Sequence, residues 1–189
     1  MPSILVVCSG NLCRSPLAEA LLRRRLVERL GDDAPAVRSA GTIAMAGSPA
    51  TPEGVLVAAE HGLDTSTHAA TRLERELLRE PDLILAMAGE HRDRVRAMDP
   101  EAARKTFTLK ELVMLLEELP PPSGETLADR IARADGRRGA PPPDEDVADP
   151  IGFPIDTYRA VAWELSAWTD RLVDGLFGAT RALPRDAGA

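Results

Sequence analysis

The segment Ser3-Ile4-Leu5-Val6-Val7-Cys8, with the loop and helix behind it, constrains the fold more than any other part of the chain. A short apolar, β-branched run bounded by turn formers reads as a strand buried on both faces, the kind that parallel sheets use. A polar loop comes next, and a helical pattern begins at once behind it. Ser15 reads as the N-cap and Pro16 suits the first helical position. Leu17, Leu21, Leu22, Leu26 and Leu30 form one stripe, and Gly31 ends the helix. A strand that leads through a short loop into a helix is half of a βαβ unit.

The same alternation continues. Strands are expected at 36–40, 82–87 and 105–109, and helices at 52–61, 90–98, 110–119 and 155–177. Such alternation implies a single α/β domain, a parallel sheet of about four strands with helices on both faces. Between Pro120-Pro121-Pro122 and Pro141-Pro142-Pro143 the character changes. The chain has 16 prolines where average usage gives about nine, and six lie in these two runs. Residues 120–148 therefore read as a mobile Pro-rich insertion, with a short helix at 126–134. The domain is expected to span 1–180, with 181–189 a flexible tail. Arg23, Arg24 and Arg25 point in three directions on a helix and read as a solvated face.

Charge and cysteine count narrow the partners. Lys and Arg number 23 against 30 Asp and Glu, a net charge of −7, which disfavours nucleic acid as the main partner. No apolar run approaches the roughly 18 residues of a membrane span. The start, Met1-Pro2-Ser3, lacks the basic segment of a signal peptide, so a cytoplasmic protein is expected. Two cysteines supply neither a disulfide framework nor a four-cysteine zinc site, and no metal or cofactor is expected.

Cys8 and Arg14 stand with five residues between them, across the strand–loop–helix junction. The helix N-terminus offers free N–H groups and a partial positive charge, a natural seat for an anion. An arc through Ser9, Gly10, Asn11, Leu12 and Cys13 can aim further N–H groups inward as a nest for phosphate oxygens. Arg14 can close the ring with a bidentate fork. Cys8 then lies beneath the phosphorus, in a field that favours a thiolate. Gly10 permits close backbone approach and positive φ, and Asn11 tolerates the left-handed region.

Cys8-Ser9-Gly10-Asn11-Leu12-Cys13-Arg14-Ser15-Pro16 resembles the C-x-G-N-x-C-R-S-P signature of the low-molecular-weight protein tyrosine phosphatases. Leu17-Ala18-Glu19-Ala20, Arg38-Ser39-Ala40-Gly41-Thr42, His61-Gly62-Leu63-Asp64 with His68, the strand at 82–87, and Asp149-Pro150 before a helix with Tyr158 are similar as well. The resemblance runs from about Ile4 to Leu176, apart from the insertion. It implies a metal-free phosphatase acting on phosphorylated protein through a cysteinyl-phosphate. Cys8 would be the nucleophile, Arg14 the phosphate ligand and Asp149 the general acid. Residues Ser9 to Ser15 would bind the phosphate. Asn11, Ser15, Ser39 and His68 would support the loop. Cys13 is a possible redox partner of Cys8, or else a small packing residue.

Asp149 stands out among Asp144, Glu145, Asp146 and Asp149 because Pro150 biases it to an extended conformation before a helix. The other three read as a solvated acidic loop, and Tyr158 as packing or a loop anchor. Phosphotyrosine is the expected substrate, since Leu12 is the branched apolar residue that the tyrosine-directed members favour, where the related protein-arginine phosphatases carry threonine. The alternative is a protein-arginine phosphatase. Ile43-Ala44-Met45-Ala46 carries no aromatic wall, in Ile151-Gly152-Phe153 the aromatic is displaced, and Phe107-Thr108-Leu109-Lys110-Glu111 and Asp149-Pro150-Ile151-Gly152 look closer to that branch. Arsenate reduction lacks the further cysteines it would need after Cys13. A non-catalytic phosphate-binding module would have no use for Cys8, Arg14 and Asp149 together.

Overall fold

The computed structural model describes residues 2–178; the expected tail at 181–189 lies outside them. Four parallel strands, β1 (Ser3–Cys8), β2 (Ala36–Gly41), β3 (Leu83–Ala86) and β4 (Thr106–Thr108), lie in the order β2-β1-β3-β4. Val6 is in register with Ser39 on one side and Leu85 on the other, so β1 is central. The pleat sends Ile4, Val6 and Cys8 to one face and Leu5 and Val7 to the other.

Among the described residues six α-helices pack around the sheet: α1 (Arg14–Leu30), α2 (Pro52–Glu60), α3 (Gly89–Met98), α4 (Leu109–Glu117), α5 (Leu127–Asp135) and α6 (Ile155–Phe177). The larger apolar core holds Ile4 and Val6 against Leu21, Leu22, Leu112, Val161 and Leu165. On the other face Leu5, Val7 and Ile84 meet Val95 of α3. Helices thus lie on both faces. No helix among the described residues is long and apolar enough to cross a membrane.

Some expectations shift for local reasons. β4 stops at Thr108 because that residue caps α4: its hydroxyl accepts from Glu111 N at 3.2 Å, and Glu111 reaches back to Thr108 N at 3.2 Å. α1 starts at Arg14, with Cys13 at the N-cap position and no side-chain capping bond, so Ser15 lies inside the first turn and does not cap the helix. The arginine triplet is less idle than a solvated face. Arg23 donates to Val37 O at 3.0 Å, Arg24 to His61 O at 2.6 Å, and Arg25 pairs with Asp170.

The Pro-rich stretch carries the short helix expected at 126–134, as α5, and that helix is packed. Leu127, Ile131 and Ala134 of α5 join the larger core. Arg130, 1% exposed, donates to Gly175 O at 3.0 Å and Pro120 O at 2.7 Å and pairs with Glu125. A buried charge with this many partners is costly to displace. Beyond α5, Arg138 lies over the Phe107 ring at 3.8 Å and pairs with Glu111 at 3.0 Å. The proline runs thus flank a packed element.

Candidate active site

The loop between β1 and α1 turns its carbonyls outward. Cys8 O accepts from Thr42 N at 2.9 Å, Ser9 O from Ile43 N at 3.0 Å, Leu12 O from Thr51 N at 3.0 Å, and Asn11 O contacts His68 Nε2 at 2.8 Å. In a trans peptide the C=O and the following N–H point opposite ways. The N–H groups of Ser9, Gly10, Leu12 and Cys13 therefore face the interior of the arc, above the N-terminus of α1. That is a cradle for an oxyanion.

Asn11, at φ 56°, is the one non-glycine residue with positive φ among those described. The amide side chain explains why it stays there. Its Oδ1 accepts from Thr71 N at 2.8 Å, and its Nδ2 donates to Ser15 Oγ and Ser39 Oγ, each at 2.8 Å. Gly10 is not among the glycines with positive φ. A Cβ there would meet only the Leu12 side chain, at 3.4 Å. The glycine that the loop cannot do without is Gly41, at the end of β2. A Cβ on it would stand 2.5 Å from Ser9 O and 2.8 Å from Asn11 N.

Cys8 is buried at the floor of the cradle. Its Sγ lies 2.9 Å from Ser15 Oγ and accepts from Asn11 N at 3.3 Å. The direction of the first contact is set by the chain of hydrogen bonds behind it. Glu19 can only accept, so Ser39 donates to it at 2.6 Å and accepts from Asn11. The other Asn11 proton goes to Ser15, whose own proton is left for the sulfur. Two donors are thus aimed at one sulfur, which holds it beneath the cradle. Asn11, Ser15, Ser39 and His68, singled out from sequence as supports, all meet at this loop.

Arg14 is buried and stretches across the site. Nη1 donates to Val147 O at 3.2 Å, while Nη2 donates to Ser9 Oγ at 3.2 Å and to Asp149 Oδ2 at 2.5 Å. Asp149 is 40% exposed at the rim, and its Oδ1 accepts from Ile151 N at 3.2 Å. An oxyanion seated in the cradle would compete with this carboxylate for Nη2. The loop carrying Asp149 is held from behind. Asp146 accepts from Gly89 N at 2.7 Å, Val147 N donates to Met87 O at 2.8 Å, and Glu145 pairs with the buried Arg92. Asp144 is fully exposed. Of the three residues expected to form a solvated acidic loop, Glu145 and Asp146 are instead its fastenings.

Leu12 is half-buried in the arc, and Tyr158 is buried and hydrogen-bonds with Thr51, the N-cap of α2. Cys13 is buried in the larger core, and burial, then the neighbouring Cys8 and Asp149, pushes its thiol up to about 12. His91 is a site residue that the sequence does not reveal. It lies on α3, 1% exposed, with Nε2 2.8 Å from Ser9 Oγ. Its flanks, Glu90 and Arg92, are polar, so nothing in the sequence marks it as buried. No group of three His, Cys, Asp or Glu side chains that could hold a metal ion occurs among the described residues.

An amide-lined cradle of this size selects a tetrahedral oxyanion, and a thiol beneath it can take the phosphoryl group rather than merely hold it. The class so defined is the cysteine-dependent phosphatases. Residues 3–123 match the family model described as "Low molecular weight phosphotyrosine protein phosphatase", and the chain belongs to that family. It is 36% identical over 173 residues to a protein-arginine-phosphatase of Geobacillus stearothermophilus, covering 92% of this chain and 95% of that one. It is 46% identical over 105 residues to the low molecular weight protein-tyrosine-phosphatase Etp of Escherichia coli K12, covering 56% of this chain and 67% of that one. The solved structure of the low molecular weight protein tyrosine phosphatase from T. tengcongensis superposes with a TM-score of 0.72 at 36% identity, over 93% of this chain and all of that one. The protein is a phosphatase of this family, and the cysteinyl-phosphate route is the family's mechanism.

Proposed function

We propose that the protein dephosphorylates phosphoarginine in proteins, with Cys8 as nucleophile, Arg14 as phosphate ligand and Asp149 as proton donor. Cys8 Sγ bonds to phosphorus as the bond to the arginine nitrogen breaks, and Asp149 gives its proton to that nitrogen. Asp149 then takes a proton from the water that attacks the cysteinyl-phosphate, and phosphate leaves. The observation that carries the reading is the extent of the likeness to the Geobacillus protein-arginine-phosphatase, which spans 92% of the chain, against 56% for the Escherichia coli tyrosine phosphatase. The rim supports it. Ile43 and Met45 are 74% and 78% exposed, and neither offers a flat ring to stack on a phenol. A guanidinium leaving group is cationic, and the carboxylate at the mouth suits it. A cytoplasmic setting, which keeps thiols reduced, belongs to the same proposal.

Phosphotyrosine is the second reading, carried by Leu12, whose branched apolar side chain crowds a planar guanidinium while leaving room for a phenyl ester. The test is turnover of matched phosphoarginine and phosphotyrosine peptides by one preparation. A kcat/KM ratio above about 10 in favour of phosphoarginine is expected, and a ratio below 1 assigns the protein to phosphotyrosine.

A further inference from the structure

His91 is a buried side chain at the back of the phosphate loop that the chemistry above does not use. Its Nε2 lies 2.8 Å from Ser9 Oγ, and Glu90 Oε1 lies 3.3 Å from the same nitrogen. Its Nδ1 is buried and has no hydrogen-bond partner. These three facts fix the tautomer. A carboxylate beside Nε2 favours a proton there. A bare lone pair on the unpartnered Nδ1 is cheaper to bury than an orphaned N–H.

Ser9 Oγ has two lone pairs and one proton. Arg14 Nη2 donates to it at 3.2 Å and occupies one lone pair. With the proton on Nε2, His91 occupies the other. The hydroxyl then has no acceptor behind it, and its proton must point forward, beside the guanidinium that grips the substrate. We propose that His91 is a positioning residue that sets the Ser9 hydroxyl as a donor to the phosphoryl group, adding one side-chain hydrogen bond to the backbone cradle. The opposite tautomer would turn Ser9 into a donor to the ring and leave nothing for the substrate. Burial, and then the Arg14 charge, hold the ring neutral, with its pKa lowered to about 4. The arrangement therefore persists at neutral pH.

The inference rests on the phosphatase chemistry and is independent of which phosphorylated residue is preferred. Side-chain nitrogen NMR on the wild-type protein, which has three histidines, reads the tautomer without any turnover. The proton is expected on Nε2, and a proton on Nδ1 overturns the proposal. Kinetics with p-nitrophenyl phosphate, with inorganic vanadate as inhibitor, form the second test. Ser9→Ala and His91→Phe should each lower kcat about tenfold, the size of one hydrogen bond, with KM within twofold. The double variant should be no slower than Ser9→Ala, because His91 acts only through that hydroxyl. His91→Gln, whose amide can donate in place of Nε2, should recover most of the loss. A double variant about a hundredfold down, or Ser9→Ala with unchanged vanadate affinity, overturns the proposal; the second result needs no substitution at His91 and decides the matter even where His91→Phe does not fold. Wild-type protein inactive on every phosphate would instead count against the phosphatase reading, and the tautomer would still be readable.

Discussion

Replacing Gly41 by alanine should damage the phosphate loop from outside the site. The added Cβ would stand 2.5 Å from Ser9 O, 2.8 Å from Asn11 N and 2.9 Å from Ala44 Cβ. None of these is the free end of a flexible side chain, so relief requires backbone movement. To restore an ordinary contact of about 3.4 Å, Ser9 and Gly41 must separate by about 0.9 Å. Gly41 cannot retreat, because its N–H donates to Thr71 O at 2.9 Å and its carbonyl accepts from Leu73 N at 2.8 Å. The loop gives way instead, and Ser9 and Asn11 carry the cradle with them. Overpacking of this kind costs about 1–3 kcal/mol of stability. A displacement approaching 1 Å in a positioned site costs up to about a hundredfold in rate. Urea unfolding, steady-state kinetics and vanadate inhibition should show a lower midpoint, kcat/KM down about 10- to 100-fold and weaker vanadate binding. Wild-type kinetics with stability within about 0.5 kcal/mol would refute the claim that the loop rests on Gly41.

Other substitutions and conditions probe other parts. Asp149→Asn should slow phosphates with poor leaving groups at least tenfold more than activated ones, and Brønsted plots on aryl phosphates check this; equal slowing removes Asp149 as the proton donor. His91 faces Arg14, Asp146, Asp149 and Glu90, and its folded pKa of about 4 lies below its ordinary 6.5. Above about pH 6.5 both folded and unfolded rings are neutral; as pH falls towards 4 the unfolded chain takes up a proton that the folded chain refuses. Stability should therefore fall with acidification, by at most about 3 kcal/mol over that window, and denaturant titrations should show a shallower slope for His91→Gln. Redox pairing of Cys13 with Cys8 is proposed as a slow step, since a thiol held up to about 12 supplies little thiolate at neutral pH. Peroxide treatment followed by mass spectrometry should find the Cys8–Cys13 linkage forming about tenfold faster per pH unit between 7 and 9, and absence of the linkage at both ends discards the role.

The strands and long helices are legible in the sequence because their apolar residues recur with the periods of buried strand and one-sided helix. The loop is legible because Cys8, Asn11 and Arg14 fall where a strand hands over to a helix. What escapes the sequence depends on contacts between distant segments. His91 is buried only because the phosphate loop and the Asp149 loop close over α3, and its own neighbours are polar. Glu145 is a fastening only because Arg92 lies on α3, 53 residues away. The short helix expected at 126–134 is present as α5; what the sequence hides is how firmly it packs. Leu127, Ile131 and Ala134 sit at helical spacing, but two proline triplets suggest a mobile stretch, and prolines also flank well-ordered helices. Ser15 reads as a cap because serine is favoured at the N-cap and proline at the first helical position; here its hydroxyl is engaged by Cys8 and Asn11.

The contact between Arg14 and Asp149 gives the site an occupant of its own. A carboxylate tethered 2.5 Å from the guanidinium acts as a built-in rival to any incoming anion, present at the site whatever the solute concentration. Every ligand's affinity is therefore a difference, the grip of the cradle less the grip of the tether. A substrate that also touches the protein beyond its phosphoryl group has further contacts with which to offset that difference. Inorganic phosphate, the last species to leave, has nothing but its oxygens to set against it. The tether thus favours the departure of product over its return, and the site empties by closing on itself.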